Sequence, residues 1–399
     1  MKFSERTSWE LEENTLTVAT RDARALARAQ GRELFDLTAS NPTFCGFHYD
    51  PALWLAPLAS PNAMRYEPDS LGMAHAREAV ARYYRDHGVD LAIETLCLTT
   101  STSEAYSFLF RLLCNPGDEV LIARPSYPLF DYIAQLDAVR LREYPLWLDP
   151  GATIDGDHAW HIDFQALEEL IGERTRAIIV VHPNNPTGSL VSPEERAQLD
   201  RLCAKHSLAL IVDEVFLDYA IGGADAKTFA DGGEALTFVL SGLSKVCALP
   251  QMKLSWIAAS GPKAVVRAAM ERIEIIADTF LSVNAPTQWS LQPWLRAREA
   301  MQRQIRERVT ANLALLDQRL KDTQAQRMPL EGGWTAILRV PRDRAITNGE
   351  LADFALGALH QGVLVQPGDF YGLGAGRCVL SLLTPPEIWS AGLELLPID

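Results

Sequence analysis

The sequence is poor in cysteine, in positive charge and in long apolar runs. Six cysteines occur among 399 residues and none forms a C-x-x-C pair, which favours reduced, buried thiols over disulfides or a metal site. Lys and Arg total 37 against 51 Asp and Glu, a net charge of −14. Nucleic acid and anionic lipid both attract clustered basic residues, so we expect neither as a partner. No run approaches the roughly 18 apolar residues of a membrane span.

A secretory signal is also missing. Residues 1–6 contain no apolar segment before a small-residue cleavage site, so we expect a cytoplasmic protein. Hydrophobic residues make up 48% and charged residues 22% of the chain, as in ordinary globular proteins. With no internal repeat, and at about 150 residues per domain, this length predicts two or three folding units.

Between about residues 95 and 260, β-rich runs alternate with helical stretches. The predicted strands are Glu119–Ala123, Val139–Tyr144, Arg176–His182, Leu208–Val212, Leu236–Ser241 and Ser255–Ser260. Several are continuous apolar runs, which is typical of parallel strands covered on both faces by helices. One helix start is explicit, because Ser192, Pro193 and Glu195 form a capping-box pattern. We therefore predict a three-layer α/β/α domain with a mostly parallel sheet.

After about residue 285 the pattern changes. A long helical stretch, roughly 286–320, precedes a predicted strand at 334–340, a helix at 348–360 and short strands near 363–365 and 377–382. An early helix near 14–29 precedes the α/β region. These elements predict a smaller α+β domain made of residues 1–44 and 286–399, beside a large domain of residues 45–285.

Four loops follow predicted strands, where open parallel sheets bind their ligands. They hold a hydroxyl-rich helix start at 99–104, an Asn-Pro turn at 183–188, the acid Asp213 and the lysine Lys245. Each alone has an ordinary explanation, as an N-cap, a turn, a cap or a solvated lysine. Together they offer a phosphate cradle, an amide, an acid and an amine. These are the groups that pyridoxal 5′-phosphate requires.

At this point the sequence resembles the class I/II aminotransferases of fold type I, such as aspartate aminotransferase. The resemblance covers nearly the whole chain and rests on motifs in a fixed order. They are Tyr66-Glu67-Pro68 with Gly72, Pro116-Gly117-Asp118-Glu119-Val120, Pro125-Ser126-Tyr127-Pro128, Asn185-Pro186-Thr187-Gly188, Asp213-Glu214-Val215, Ser244-Lys245, and Arg377 before a strand. The resemblance implies the pyridoxal-phosphate-dependent transferase fold and pyridoxal 5′-phosphate as cofactor.

The resemblance also implies a role for each cofactor-binding residue. Lys245 would form the internal aldimine and then act as general base, and Asp213 would keep the pyridine nitrogen protonated. Asn185 would hydrogen-bond the ring's phenolic oxygen, and Tyr127 would stack on the ring, although a core aromatic role stays open for it. The predicted phosphate-binding residues are Thr102, Ser103, Ser244, Lys253 and Tyr66.

Substrate and assembly follow from the same resemblance. Arg377, with Asn185 and Asn41, would hold the substrate α-carboxylate, for which a planar guanidinium is suited. The reaction would be ping-pong transfer of an amino group between an L-amino acid and a 2-oxo acid. Tyr66 would reach the partner's cofactor, so we expect a homodimer. Residues 280–292 contain no arginine, which favours a neutral or aromatic amino acid over a dicarboxylate.

Three positions depart from the family pattern. Phe216 stands where relatives often have a tyrosine that donates to the phenolic oxygen. Lys253 replaces a phosphate-binding arginine, and Gly242 replaces a phosphate-binding serine. Ser241 or Ser244 would be the candidates to compensate at the last position.

Three alternatives stay open from the sequence. A C–S β-lyase would use the same cofactor and the same residues. A non-catalytic effector domain of a transcription regulator would need a DNA-binding domain ahead of the core, and only about 40 residues precede it. A dinucleotide-binding enzyme would need its glycine fingerprint between a strand and a helix. The glycines at 372–376 instead precede a predicted strand, so we interpret them as a turn.

Overall fold

The structure is a computed structural model that describes residues 3–7, 15–31, 33–153, 158–281, 283–340, 354–374 and 376–398. Its strands are β1 Phe35–Asp36, β2 Leu96–Thr99, β3 Glu119–Arg124, β4 Arg140–Leu148, β5 Trp160–Ile162, β6 Thr175–Val181, β7 Ala209–Asp213, β8 Thr237–Gly242, β9 Ser255–Ser260, β10 Gln326–Arg327, β11 Thr335–Arg339, β12 Val363–Leu364, β13 Gln366–Pro367 and β14 Arg377–Ser381. Its helices are α1 Thr15–Gln30, α2 Pro51–Trp54, α3 Ala74–Asp86, α4 Thr102–Leu113, α5 Leu129–Leu136, α6 Phe164–Leu170, α7 Pro193–His206, α8 Leu243–Val246, α9 Lys263–Phe280, α10 Ala285–Leu320, α11 Phe354–His360 and α12 Pro386–Leu395.

Eight strands form the central sheet, in the order β2-β9-β8-β7-β6-β3-β4-β5. The pairs β8–β7, β7–β6, β6–β3 and β3–β4 are parallel, whereas β9 and β5 run antiparallel to their neighbours. The mostly parallel sheet is therefore confirmed. The predicted strand Ser255–Ser260 is present, but it runs against the parallel strands.

Helices cover both faces of this sheet. Because successive side chains of a strand alternate between faces, Leu98 and Val239 pack with α3 and α10, in one core cluster. Their neighbours Cys97 and Leu240 pack with α4 and α9, in a second cluster. Burial on both faces explains the continuous apolar runs of β6 and β7. The predicted three-layer α/β/α architecture is confirmed.

The helix boundaries agree with the local signals. Ser192 caps α7 with its side chain accepting from the Glu195 N–H, and the Glu195 carboxylate accepts from the Ser192 N–H in return. The long helix α10 begins at Ala285 and contains Pro293. Of the predicted helix 348–360, the described residues include only the part that forms α11, Phe354–His360. None of the helices described is long and apolar enough to cross a membrane.

Two smaller sheets lie outside the central one. Strands β10, β11, β14 and β13 form an antiparallel sheet in that order, and β1 pairs in parallel with β12. The pairing of Phe35 with Val363 joins an N-terminal strand to a C-terminal one. This is the connection that a small domain built from both chain ends requires, and the domain bounds 1–44, 45–285 and 286–399 stay a prediction.

Candidate active site

Four elements end or begin at one edge of the central sheet. Strands β2, β6, β7 and β8 run in the same direction, so their carboxyl ends share this edge. Asp213 is the last residue of β7, and Lys245 lies in α8 directly after β8. Asn185 follows β6, and α4 begins with Thr102 after β2. The predicted acid, lysine, amide and helix start therefore meet at the edge where ligands bind.

Asp213 is a buried carboxylate, 7% exposed. The Tyr106 hydroxyl donates to its Oδ2 at 3.1 Å and the Val215 N–H donates to its Oδ1 at 3.1 Å. Burial raises the pKa of Asp213 to about 6, and the two hydrogen bonds and the Lys245 charge oppose that rise. Such an acid is ionised at neutral pH and is held in one orientation.

Tyr106 was missed by the sequence analysis. It lies one helical turn after Thr102, on the face of α4 that packs against the sheet. The helix-start signal was recognised, and the i+4 spacing from Thr102 would have placed an inward-facing side chain here.

Lys245 lies between two aromatic rings. Its Nζ is 4.9 Å from the centre of the Trp334 ring and 5.5 Å from that of Phe216, and the two rings meet edge to face. Burial lowers the pKa of Lys245 to about 8, while the Asp213 charge acts in the opposite direction. The Tyr219 hydroxyl donates to the Lys245 carbonyl at 2.7 Å and holds its backbone. An amine in this setting loses its proton at a lower pH than an ordinary lysine amine does, and the neutral amine is the nucleophilic form.

Asn185 contributes an amide with an unused oxygen. Its Oδ1 is buried and has no hydrogen-bond partner within the described part of the chain. Buried polar atoms are nearly always paired, so this atom indicates a ligand that completes the site. The surrounding turn is rigid: Thr187 Oγ1 donates to Asn184 Oδ1 at 3.0 Å, and Thr335 Oγ1 donates to the Pro186 carbonyl at 3.1 Å.

The start of α4 offers free N–H groups. Ser101 caps the helix, its Oγ accepting from the Glu104 N–H at 3.1 Å. Thr102 and Ser103 are the first two helical residues, and N–H groups in a first helical turn have no partner within the helix. Together with the helix dipole they favour an anion. Near this edge Ser244 lies partly buried on α8, and the exposed Lys253 precedes β9 with a left-handed backbone, φ +52°.

Tyr127 connects to the site through aromatic contacts. Its ring packs edge to face on Phe130 at 6.5 Å, and Phe130 packs on Tyr106 at 5.0 Å. Tyr127 itself is exposed rather than a core residue. This exposure fits an aromatic ring that stacks on a ligand better than one that fills the core.

The predicted substrate-binding residues are less closely joined to Lys245. Asn41 uses its Oδ1 to cap the turn at 42–44, accepting from Thr43 N and Oγ1. Arg377 donates to the Leu373 carbonyl at 2.8 Å and lines a cavity of about 590 Å³ with Arg124 and Glu143.

That cavity is not lined by Lys245, Asp213 or Asn185. Tyr66 is 81% exposed and points away from its own chain's core. The glycine-rich segment before β14 is a turn, as predicted, with Gly372 at φ +75°. Its Ala375 lies outside the described residues.

These groups fit pyridoxal 5′-phosphate. A buried acid, a lysine of lowered pKa, an amide side chain and a helix N-terminus lie along one sheet edge, in keeping with the cofactor's ring nitrogen, aldehyde, phenolic oxygen and phosphate. The fold and the site thus define a pyridoxal-phosphate-dependent enzyme of the α/β class.

Comparison with known proteins gives the family. The family model for aminotransferase class I and II matches residues 35–388. The alanine aminotransferase of Mycobacterium tuberculosis is 30% identical over 321 residues, covering 79% of this chain and 69% of that protein. The glutamate-pyruvate aminotransferase of Escherichia coli K12 is 27% identical over 293 residues, covering 73% and 69%. The chain belongs to the class I and II aminotransferases.

A solved structure shows the same fold. The alanine aminotransferase from Pyrococcus furiosus superposes with a TM-score of 0.85 at 22% identity, covering 99% of this chain and 98% of that one. The resemblance, the fold class and the cofactor predicted from the sequence are confirmed. The chain is a pyridoxal-phosphate-dependent aminotransferase, and nothing in these comparisons favours the C–S lyase.

Proposed function

We propose that the enzyme transfers the amino group of a neutral or aromatic L-amino acid, with alanine the first candidate, to a 2-oxo acid. Relatives named as alanine and glutamate-pyruvate aminotransferases support this choice, as does the lack of arginine in residues 280–292. The observation that carries the chemistry is Lys245 Nζ, held between two aromatic rings near the buried Asp213.

In this mechanism Lys245 carries the reactive amine and moves the proton. When bound, the cofactor serves as carrier of the amino group and as electron sink. A lysine of pKa about 8 is about one-tenth neutral at pH 7, enough to act as nucleophile and as base. The free Lys245 amine would take the proton from the substrate Cα and deliver it to the former aldehyde carbon of the cofactor. The negative Asp213 would keep a proton on the ring nitrogen of the bound cofactor, and Trp334 and Phe216 would exclude water around Lys245.

The remaining cofactor contacts are proposed from position. Thr102 and Ser103 would hold the phosphate with their backbone N–H groups, aided by Ser244 and by the charge of Lys253. Asn185 would hydrogen-bond the phenolic oxygen, and Tyr127 would stack on the ring. The exposed ring of Tyr127 supports its role, and the amide nitrogen of Asn185 would be the donor to the phenolic oxygen.

For the substrate we propose that Arg377 holds the α-carboxylate, with Asn185 and Asn41 beside it. The Arg377 guanidinium has no carboxylate partner in the described residues and one backbone acceptor, Leu373, so its fork is open to a bidentate ligand. Asn41 would donate through its amide nitrogen, because its oxygen caps the turn.

The proposed assembly is a cytoplasmic homodimer. Met64 and Tyr66 are 89% and 81% exposed, and large exposed apolar side chains in one segment are typical of an interface. In a dimer, Tyr66 would reach the partner's phosphate. Sedimentation should give twice the 44.2 kDa chain mass, and a fully active monomer would contradict the proposal.

The test of the function is Lys245→Ala with Lys263→Ala as control. Lys263 is exposed at the start of α9, so its removal should preserve the visible absorbance of bound cofactor and the turnover. Lys245→Ala should lose both. Normal transamination by Lys245→Ala would refute the assignment. A panel of alanine, aromatic and acidic donors against pyruvate, 2-oxoglutarate and oxaloacetate would then identify the substrates.

A further inference from the structure

Gly242, the last residue of β8, leaves one expected phosphate contact without a side chain. The structure shows what fills its place. A Cβ built on Gly242 would overlap the Oγ of Ser255 and lie 2.8 Å from the Ser255 Cβ. The two residues are direct partners across the β8–β9 pair, so the space above Gly242 is already occupied by the Ser255 hydroxyl.

Ser255 also joins the two sides of the proposed phosphate site. It pairs with Gly242 on one side and with Thr99 on the other, so Thr99, Ser255 and Gly242 form one row across β2, β9 and β8. The helix α4 starts three residues after Thr99. Lys245 lies three residues after Gly242. The Ser255 hydroxyl therefore stands between the helix N-terminus and the lysine.

Ser255 and Ser241 lie on opposite faces of the central sheet. Alternation places Ser255 with Ile257 on the face that α4 covers. Asp213 lies on the same face, because Tyr106 of α4 donates to it. Ser241 is the neighbour of Gly242 in β8 and points to the opposite face, where Val239 packs. A compensating hydroxyl on the cofactor's face is thus provided by β9 and not by Ser241.

The Ser255 hydroxyl is available for a ligand. The side chain is 2% exposed, and its Oγ has no hydrogen-bond partner within the residues that the structure describes. An O–H donor at this place suits a phosphate oxygen, which accepts but cannot donate when fully ionised.

We infer that Ser255 donates the phosphate-binding hydroxyl that Gly242 lacks, so that this contact is supplied from the neighbouring strand. The inference rests on the proposed cofactor site. Because a serine at 242 would overlap Ser255, the hydroxyl can come from one strand or the other, not from both.

The test uses the cofactor-free protein and two ligands, pyridoxal 5′-phosphate and pyridoxal, with binding measured by absorbance titration and equilibrium dialysis. Ser255→Ala should weaken binding of the phosphorylated ligand about 10- to 100-fold, the usual range for a hydrogen bond to a charged group. Binding of pyridoxal should not change. The control is Ser241→Ala, which removes a buried hydroxyl on the opposite face and should leave both affinities as they are.

A reciprocal exchange completes the test. Gly242→Ser alone should bind the phosphorylated ligand poorly, because the new side chain overlaps Ser255. The double variant Gly242→Ser with Ser255→Gly moves the hydroxyl back to β8 and should recover the affinity. Thermal unfolding of each cofactor-free variant shows that it is folded.

The outcomes separate this inference from the proposed function. If the unaltered protein does not bind pyridoxal 5′-phosphate, the proposed site is wrong. If it binds and Ser255→Ala binds equally well, or loses both ligands alike, the role of Ser255 is refuted. Failure of the double variant to recover affinity would also contradict it.

Discussion

Replacing Lys245 with methionine should stabilise the cofactor-free protein, and the gain should shrink as pH rises. Burial lowers the pKa of Lys245 from 10.5 to about 8. Between these values the unfolded chain binds the proton and the folded chain releases it, so the stability of the unaltered protein rises with pH in this window. Below pH 8 the Lys245 amine is charged in both the folded and the unfolded protein, and burial of this charge destabilises the folded state.

The magnitude follows from the shift. A difference of about 2.5 pKa units corresponds to about 3 kcal/mol at 1.36 kcal/mol per unit. Nearly all of this penalty is present at pH 7.5, and between pH 7.5 and 9.5 linkage removes about 2 kcal/mol of it. Methionine has a similar length and no charge, so the Lys245→Met protein should lose this part of its pH dependence.

Urea unfolding at half-unit pH steps measures both proteins. The matched control is Lys253→Met, which removes an exposed lysine and should keep the pH dependence of the unaltered protein. If the stability difference between Lys245→Met and the unaltered protein stays constant from pH 7.5 to 9.5, Lys245 does not have a lowered pKa. Lys245 would then not supply a neutral amine near neutral pH.

Three further perturbations test the surroundings of the site. Tyr106→Phe removes the donor to Asp213, so the pKa of Asp213 should rise further above its ordinary value. The acid limb of the kcat–pH profile should move to higher pH, and kcat should fall on the order of tenfold. An unchanged profile would contradict this role. Arg377→Lys should raise KM for the amino donor about tenfold or more, with little effect on cofactor affinity, and an unchanged KM would exclude Arg377 as the carboxylate contact. Gly188→Ala should lower the unfolding free energy by about 1–3 kcal/mol more than Gly222→Ala. Both glycines have positive φ, but of these two only Gly188 would place a Cβ into neighbouring atoms. Equal losses of unfolding free energy in calorimetry would show that close packing at Gly188 does not matter.

The sequence predicted those site residues that directly follow a recognisable strand or loop. Asp213 and Lys245 directly follow apolar strands, and Thr102 follows a hydroxyl-rich loop, so their places at one sheet edge could be inferred from strand direction alone. The residues that shape their chemistry have no such signal. Trp334 contacts Lys245 from a segment 89 residues away in the chain. Tyr106 donates to Asp213 from α4, which lies 107 residues earlier in the chain.

The serine at position 255 shows the same limit most clearly. From the sequence, the nearest hydroxyls to Gly242 are Ser241 and Ser244, and these were the candidates to compensate. The structure instead places Ser255 against Gly242, because β9 returns antiparallel beside β8. Because β9 reverses direction, the chain returns to Gly242 after twelve intervening residues, and no local sequence pattern predicts this return.

Apolar periodicity, capping residues and the order of the loops were sufficient to predict most strands of the central sheet, the long helices, the sheet edge where the polar loops meet and the position of Lys245 at that edge. Each of these depends on residues close together in the chain, where steric preference and burial pattern act directly. Strand order, the antiparallel course of β9, the face on which each side chain points and the lowered pKa of Lys245 came from the folded arrangement. They depend on cross-strand register and on burial by distant segments, and these exist only once the whole sheet has formed.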